Sequence, residues 1–331
     1  MSLMKTVGKG IIEASLSPRF RRLPPMPTIS DMIRIYKVSA RKNLGQNFIL
    51  DENICDKLVK SSGLKFGSTV IEIGPGPGGI TRSLVKLNPE KIVIIEKDTR
   101  FSQLLRILCE STNIPIHVVF DDVMQCSFED TFESKNEPKW DVDEIPKFGI
   151  IGNLPFNVST AIVVKWMKQI SERQSAWKYH RVPMTLTFQK EICDRIVCQP
   201  NSLIRSRLSF ICQIYCNCKS VYDIPNSVFV PRPKVDAGTV HFIPRKKPLI
   251  NHPFPLINKI ITHLFNHKSK HILFNIRKMF PQENVDLADL LMLKVDIDPT
   301  MNITSLNIVQ FNKICNAFVQ ICKDFPHLYH Q

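Results

Sequence analysis

Short apolar runs alternate with amphipathic stretches through the first two thirds of the chain. The runs are rich in Ile and Val, and they predict buried strands at residues 68–74, 91–98, 114–122, 147–153 and 182–189. Apolar residues spaced at i, i+3 and i+4 predict intervening helices at residues 79–88, 100–110 and 160–170. Strands that alternate with helices in this way are typical of an α/β fold with a parallel, doubly wound sheet.

The pattern changes near Arg245, after a basic and proline-flanked junction. From there onward apolar residues keep helical spacing, which predicts a small all-helical domain. Ahead of the first strand, Ser30 is expected to cap a helix. We therefore predict three parts: a basic arm over residues 1–30, an α/β domain over 31–244 and a helical domain over 245–331.

Net charge points to a class of partner. The 331 residues carry 44 Lys and Arg against 30 Asp and Glu, a formal net charge of +14. Such a surplus favours a polyanionic partner, because each phosphate that a cation neutralises releases counterions, although positive charge also serves solubility alone. No stretch approaches the roughly 20 apolar residues of a membrane-spanning helix, so no membrane partner is expected.

The ten cysteines are scattered at irregular spacing. They form no paired CxxC motif and have no neighbouring HxxxH, so the sequence predicts no metal site. A chain of this length needs no disulfide framework, and we expect free thiols in a reducing compartment.

The N-terminal 30 residues are basic, contain four serines and have a single acidic residue, Glu13. This composition is typical of an organelle transit peptide. A basic arm that touches RNA is an equally good interpretation of the same residues. Lys and Gly interrupt the early apolar segment, which disfavours a secretory signal.

The segment "EIGPGPGG" closes the first predicted strand. Its glycines allow the backbone to approach a ligand, and they open a helix whose N-terminus is partly positive. The spacing of Gly74, Gly76 and Gly79 fits the G-x-G-x-x-G motif of dinucleotide-binding proteins. It also fits the E-x-G-x-G-x-G loop of S-adenosylmethionine methyltransferases. Glu72 favours the second interpretation, because a carboxylate suits an ammonium and a sulfonium better than a pyrophosphate.

Acidic residues end the next two strands. Glu96 ends the second strand, where a carboxylate can accept hydrogen bonds from ribose hydroxyls in either kind of cofactor site. Asp122 ends the third, where it could accept a hydrogen bond from an adenine amino group. With the glycine loop they predict a cofactor site along the carboxyl ends of the strands.

The fourth strand runs into "NLPF", residues 153–156. The Asn153 side-chain oxygen and the Leu154 carbonyl can accept hydrogen bonds from an exocyclic adenine amine and aim its lone pair at a methyl group. Pro155 restricts the turn, and Phe156 offers a face on which an extruded base can stack. A proline turn with Phe156 packed in the core is the simpler alternative. The ordered combination of glycine loop, acids and "NLPF" favours an adenine methyltransferase.

Several motifs together resemble the rRNA adenine N6-dimethyltransferase family. They are "LGQNFILD" (44–51), "EIGPGPGGITRSL" (72–84), "EKD" (96–98), "IIGNLPFNVST" (150–160), "LTFQKEICDRI" (186–196) and "VFVPRPKVDAG" (228–238). The resemblance runs from about Leu23 to Phe325, and the mitochondrial members carry the closer likeness. Residues 265–275 match a basic segment of the family only loosely.

The resemblance implies a Rossmann-like methyltransferase domain, S-adenosyl-L-methionine as cofactor and a C-terminal helical RNA-binding domain. The cofactor-binding residues it implies are Gln46, Asn47, Leu50, Glu72, Gly74, Gly76, Gly78, Glu96, Lys97, Asp122, Val123 and Asn153. The catalytic residues it implies are Asn153, Leu154, Pro155 and Phe156. The substrate-binding residues it implies are Phe156, Phe229, Arg232 and Lys234, and a core position for Phe229 is an equal alternative.

The function implied is dimethylation of two adjacent adenines in a hairpin loop near the 3′ end of mitochondrial small-subunit rRNA, in support of ribosome assembly. The expected enzyme is monomeric and lies in the mitochondrial matrix, so a transit peptide is favoured over an RNA arm. A second hypothesis is a mainly non-catalytic protein that serves ribosome assembly or the mitochondrial transcription machinery. A nicotinamide oxidoreductase is the third.

Overall fold

The computed structural model describes residues 11–13, 25–132 and 137–329. The predicted basic arm therefore lies outside the described residues, except for 11–13 and 25–30. Its assignment as a transit peptide or an RNA arm stays a prediction.

The chain divides into two compact units. The first comprises residues up to Cys193 together with Asn217–Lys246, and the second comprises Asp194–Cys216 together with the chain from Lys247 onward. The predicted domain boundary at 244/245 lies two residues before 246/247, where the chain passes from the first unit to the second. Segment 194–216 differs from the prediction, because it belongs to the second unit.

The first unit is built on an eight-stranded sheet. Its strands, in chain order, are β1 (Ile11–Glu13), β3 (Thr69–Ile73), β4 (Lys91–Glu96), β5 (Ile116–Phe120), β6 (Phe148–Asn153), β7 (Met184–Gln189), β8 (Cys216–Ile224) and β10 (Ala237–Pro244). Their spatial order is β1-β5-β4-β3-β6-β7-β10-β8. The five central strands, β5 to β7 in this order, are parallel. The sheet as a whole is mixed, because β1 and β10 run antiparallel to β5 and β7.

Helices connect the parallel strands, as the hydrophobic pattern predicts. In chain order the helices before β8 are α1 (Ile29–Ile35), α2 (Glu52–Ser61), α3 (Gly79–Lys86), α4 (Ser102–Glu110), α5 (Ser159–Glu172), α6 (Lys190–Val197) and α7 (Arg207–Tyr215). All five residues of β3 are buried, as expected for a central parallel strand. The cap of α1 differs from the prediction. Thr28 rather than Ser30 precedes the helix, and its side chain accepts a hydrogen bond from the Asp31 N–H.

A second, two-stranded sheet joins distant parts of the sequence. Strand β2 (Phe48–Ile49) pairs antiparallel with β9 (Phe229–Val230). This pairing brings "LGQNFILD" beside "VFVPRPKVDAG", although about 180 residues separate them.

The second unit is helical. Besides α7 it contains α8 (Phe254–Asn266), α9 (Ile272–Arg277), α10 (Asp286–Val295) and α11 (Ile308–Asp324). Phe210 of α7 explains why segment 194–216 belongs here, because its ring lies 5.7 Å from that of Phe265 and 5.3 Å from that of Phe311. Within the described ranges, no helix combines the length and the apolar character that a membrane crossing demands.

Candidate active site

A cavity opens at the carboxyl ends of the central strands of the first unit. Residues from the ends of β3, β4 and β6 line it, together with the segment after β5 and the segment before β2. The sheet order reverses between β3 and β6, and open α/β sheets bind ligands at such a reversal. Of the predicted site residues, the cavity is lined by Gln46, Asn47, Gly74, Gly76, Glu96, Lys97, Asp122, Val123, Asn153, Leu154, Pro155 and Phe156.

The glycine loop adopts a conformation that side chains disfavour. Gly74 and Gly76 have φ values of 64° and 54°, in the left-handed region that glycine enters without steric cost. A Cβ atom on Gly76 would lie 3.0 Å from the Phe48 ring. Gly78, with a φ of 91°, is the N-cap of α3 and does not line the cavity, so its part in the site is to start the helix.

Glu72 lies on β3, two residues before Gly74, and is completely buried. Neither of its carboxylate oxygens has a hydrogen-bond partner in the part of the chain that the structure describes. Burial raises the pKa of Glu72 from 4.5 to about 8, and the charge of Glu96 adds to this, although the nearby Thr81 offsets part of the shift. A buried carboxylate without a partner is costly. Glu72 is not among the residues of the cavity wall; it lies on β3, two residues before the wall residue Gly74.

Glu96 ends β4 and lines the cavity. One carboxylate oxygen accepts a hydrogen bond from the Gly76 N–H at 3.1 Å and the other accepts one from the Asp98 N–H at 2.7 Å. Burial nevertheless raises the pKa of Glu96 to about 7. Each oxygen has further acceptor capacity, so the carboxylate can still receive hydroxyl groups from a ligand.

Asp122 follows β5 at the rim of the cavity. One of its oxygens pairs with the Lys97 ammonium at 2.8 Å, and the other accepts a hydrogen bond from the Met124 N–H at 2.9 Å. Burial acts to raise the pKa of Asp122, but these hydrogen bonds outweigh it and lower the pKa. Asp122 is therefore ionised and fixes the turn that places Val123 on the cavity wall.

Asn153 ends β6, and a single contact orients its side chain. The amide Nδ2 donates a hydrogen bond to the Asn47 carbonyl at 2.8 Å. Because the NH₂ group faces a carbonyl, the Oδ1 atom must be the one that points away from it. Oδ1 is buried and accepts no hydrogen bond from any residue that the structure describes. The site thus contains one preoriented acceptor.

Phe156 follows Asn153 by three residues, is partly buried and lines the cavity. Its ring lies 6.2 Å from that of Phe229 in an edge-on arrangement. Phe229 is 1% exposed and is not on the cavity wall, so it packs behind Phe156 and has no open face. Phe156 combines a cavity-facing position with packing against the core.

Some predicted site residues lie elsewhere. Arg232 and Lys234 are exposed and outside the cavity, and the Arg232 guanidinium bonds to the Asn226 side chain. Leu50 also lies outside the cavity wall. The sequence predicts no separate role for Asp98, yet its carboxylate accepts a hydrogen bond from the cavity residue Gln46 at 3.0 Å. Its presence in "EKD" was the available signal.

Comparison with known proteins agrees with this geometry. The family model for ribosomal RNA adenine dimethylase matches residues 37–320. Dimethyladenosine transferase 1, mitochondrial, from Xenopus laevis is 39% identical over 309 residues, which cover 93% of this chain and 90% of that relative. The Homo sapiens protein of the same name is also 39% identical, over 93% of this chain and 89% of its own length.

Solved structures share the fold. A dimethyladenosine transferase from Plasmodium falciparum superimposes with a TM-score of 0.62 and 23% identity, over 82% of this chain and 96% of that chain. The 23S rRNA methyltransferase ErmE gives a TM-score of 0.57 and 19% identity, over 82% of this chain and all of that chain. The family match and the 39% identity establish that this chain belongs to the ribosomal RNA adenine dimethylase family, the enzymes that transfer methyl groups from S-adenosyl-L-methionine to adenines of ribosomal RNA.

Proposed function

We propose that this enzyme dimethylates N6 of two adjacent adenines in the 3′-terminal hairpin loop of mitochondrial small-subunit rRNA, and that it thereby supports ribosome assembly. The observation that carries the proposal is the Oδ1 atom of Asn153, a buried acceptor held in one orientation and without a partner among the described residues. An adenine amine is a donor of the kind that such an acceptor requires.

What we term the cofactor half comprises the cavity-wall residues Gly74, Gly76, Glu96 and Asp122, together with Glu72, which is fully buried on β3 and not itself on the wall. S-adenosyl-L-methionine supplies a methyl group on a sulfonium cation. Glu72 provides negative charge for the cationic part of the cofactor, Glu96 accepts the ribose hydroxyls and Asp122 accepts the adenine amino group. Gln46, Asn47, Lys97 and Val123 complete the wall.

Residues 153–156 form what we term the base half. Asn153 Oδ1 and the Leu154 carbonyl accept hydrogen bonds from the target amine, which favours a pyramidal nitrogen with its lone pair directed at the methyl group. Phe156 stacks on the extruded base, a contact worth about 1–3 kcal/mol. Phe229 acts from behind, because its ring supports the edge of Phe156. No strong general base is required, since the amine becomes acidic once it is alkylated.

RNA contacts outside the cavity involve exposed cations. Arg232 and Lys234 can contact phosphates beside the target. In the second unit, the exposed ring of Phe274 has the ammonium groups of Lys270 and Lys278 each 5.9 Å from its centroid. Aromatic rings interleaved with cations suit single-stranded nucleic acid, which supports an RNA-binding role for the helical domain.

The mitochondrial matrix is the proposed compartment. Two observations support it: the relatives from Xenopus laevis and Homo sapiens are named mitochondrial, and the first 30 residues are basic and acid-poor. Import of a fluorescent fusion of residues 1–30 would test it. Retention of that fusion in the cytosol would contradict the proposal.

The function is tested by methyl transfer from labelled S-adenosyl-L-methionine to a short rRNA hairpin that carries two adjacent loop adenines. The same hairpin with guanines at those positions is the control. We expect label on the first hairpin only, and digestion to nucleosides should give N6,N6-dimethyladenosine. Tight binding of the hairpin without transfer would favour the assembly-factor or transcription hypothesis instead.

A further inference from the structure

Asp98 is a buried carboxylate beside the cavity whose role neither the strand pattern nor the cavity wall explains. It is 5% exposed. The Arg100 side chain holds it with three contacts, from Nε to Oδ1 at 2.9 Å and to Oδ2 at 3.1 Å, and from Nη2 to Oδ2 at 2.5 Å. Burial acts to raise the pKa of Asp98, but hydrogen bonds from Arg100 and Gln46 outweigh it and lower the pKa. The carboxylate is therefore ionised and immobilised.

Asp98 bonds to the segment that covers one side of the cavity. Its Oδ2 atom accepts a hydrogen bond from Gln46 Nε2 at 3.0 Å. The other end of the same amide, Oε1, accepts a hydrogen bond from the Arg41 N–H at 2.9 Å. Because Oε1 faces a donor, Nε2 has to face Asp98. The Gln46 amide thus closes the 41–46 turn through its oxygen and anchors this turn to Asp98 through its nitrogen.

The next residue along the chain, Asn47, holds the catalytic amide. Its carbonyl is the acceptor for Asn153 Nδ2 at 2.8 Å, and among the described residues this is the hydrogen bond that sets where Oδ1 points. Displacement of Gln46 therefore moves the group that orients Asn153. A continuous set of contacts links Glu96, through the Asp98 N–H and carboxylate, to Gln46, Asn47 and Asn153.

We propose that Asp98 is a positioning residue for methyl transfer, which fixes the Asn153 acceptor through Gln46 and Asn47 without contacting either substrate. The inference rests on the role proposed above for Asn153. It predicts that loss of the Asp98–Gln46 hydrogen bond slows transfer more than it weakens binding of the cofactor, because a small misplacement of a reacting group is costly in rate.

The first variant is Asp98→Asn in the full-length protein. Its amide offers one acceptor oxygen where the carboxylate offers two, so its NH₂ must face either the Gln46 NH₂ or the Arg100 guanidinium, and the group that fixes Gln46 is lost or displaced. We expect the single-turnover rate on the adjacent-adenine hairpin to fall about tenfold or more. The dissociation constant of S-adenosyl-L-methionine, measured by calorimetry, should change less than about threefold. Equal losses in both quantities, or no loss, would overturn the proposal.

A reciprocal exchange separates this role from a general structural one. Gln46→Glu alone places two carboxylates together and should also slow transfer. In the double variant Asp98→Asn/Gln46→Glu, the new amide at 98 donates to the new carboxylate at 46, which still accepts from the Arg41 N–H. We expect the rate to return to within about threefold of the unaltered enzyme. Additive losses would contradict a positioning link.

Two controls complete the design. Asp56→Asn removes a carboxylate that bonds to Ser83 and Lys86 in the same unit, away from the cavity, and should leave the rate unchanged. Asn153→Ala separates the two proposals. If it leaves the rate unchanged, the role of Asn153 fails; if it abolishes transfer while Asp98→Asn does not, only the positioning role of Asp98 fails.

Discussion

The proposed cofactor half and base half of the cavity present different kinds of polar groups. In the cofactor half, two carboxyl groups are buried deeply enough that burial raises the pKa of Glu96 to about 7 and that of Glu72 to about 8. In the base half, the polar group is a neutral amide, Asn153, fixed by one hydrogen bond to the backbone.

This difference matches the charge of the ligand proposed for each half. A sulfonium cofactor carries positive charge that buried carboxylates can compensate. An adenine amine is neutral before it reacts, so a charged acceptor would incur a desolvation cost without a counterion. A preoriented amide oxygen instead offers a dipole that needs no reorganisation during transfer. Predictions that alter one half and spare the other therefore test the comparison.

The largest effect is expected from Asn153→Ala, which removes the oriented acceptor of the base half. Single-turnover methyl transfer should fall about 10²- to 10³-fold, by analogy with the loss of one preorganised hydrogen-bonding group in other active sites. Cofactor affinity, measured by calorimetry, should change little. An equal loss of cofactor affinity would mean that Asn153 belongs to the cofactor half and that the two halves are not separate.

Phe156→Ala should produce the next largest loss. Removal of the stacking face is expected to reduce kcat/KM for the hairpin by about tenfold to a hundredfold. Phe156→Tyr retains the ring and is the matched control, with activity close to that of the unaltered enzyme. If Phe156→Ala lowered only the melting temperature, packing against Phe229 would be the whole role of this ring.

The sequence predicts a residue's place in the site when that place depends on nearby residues of the chain, and it fails when the place depends on residues far away in the chain. Glu96 and Asn153 lie on the cavity as expected, because each ends a parallel strand and parallel strands end at a common edge. Phe229 does not lie there. It pairs with Ile49 of strand β2, and no spacing rule relates residues 49 and 229.

The same limit explains two other differences. Segment 194–216 is placed in the α/β domain by sequence position alone, but Phe210 packs on Phe265 and Phe311, and hydrophobic spacing does not identify a tertiary partner. The sheet is mixed because β10 inserts antiparallel between β7 and β8. Apolar runs indicate strands but not their direction.

The pH dependence should reside in the cofactor half alone. Glu72 must ionise to attract the cofactor cation, so affinity for S-adenosyl-L-methionine should rise about tenfold per pH unit up to its pKa of about 8 and then level off. Stability of the free protein should run the other way. The pKa of Glu72 in the folded protein exceeds its unfolded value of 4.5, so ionisation of Glu72 destabilises the fold progressively as pH rises from 4.5 to 8.

Calorimetric titrations and melting temperatures between pH 6 and 9 would measure both trends. Glu72→Gln is the control, because it keeps the shape of the side chain and removes its titration. It should flatten both curves above pH 7, whereas the slope that Glu96 contributes below its pKa of about 7 should remain. Curves that stay steep above pH 7 in this variant would assign the pH dependence to a group other than Glu72.

The smallest effect is expected from Lys97→Ala, which alters the rim of the cofactor half. The Lys97–Asp122 ion pair is short, at 2.8 Å, but the Lys97 side chain is 61% exposed. Exposed pairs contribute about 0–1 kcal/mol, so cofactor affinity should fall less than about fivefold. Asp122→Ala is the comparison variant. It also removes the acceptor for the Met124 N–H, and its loss should be larger. If Lys97→Ala lowered cofactor affinity as much as Asp122→Ala, an exposed charge would contribute as much as a buried one in this half. The distinction between a buried ionic half and a neutral half would then have to include the rim.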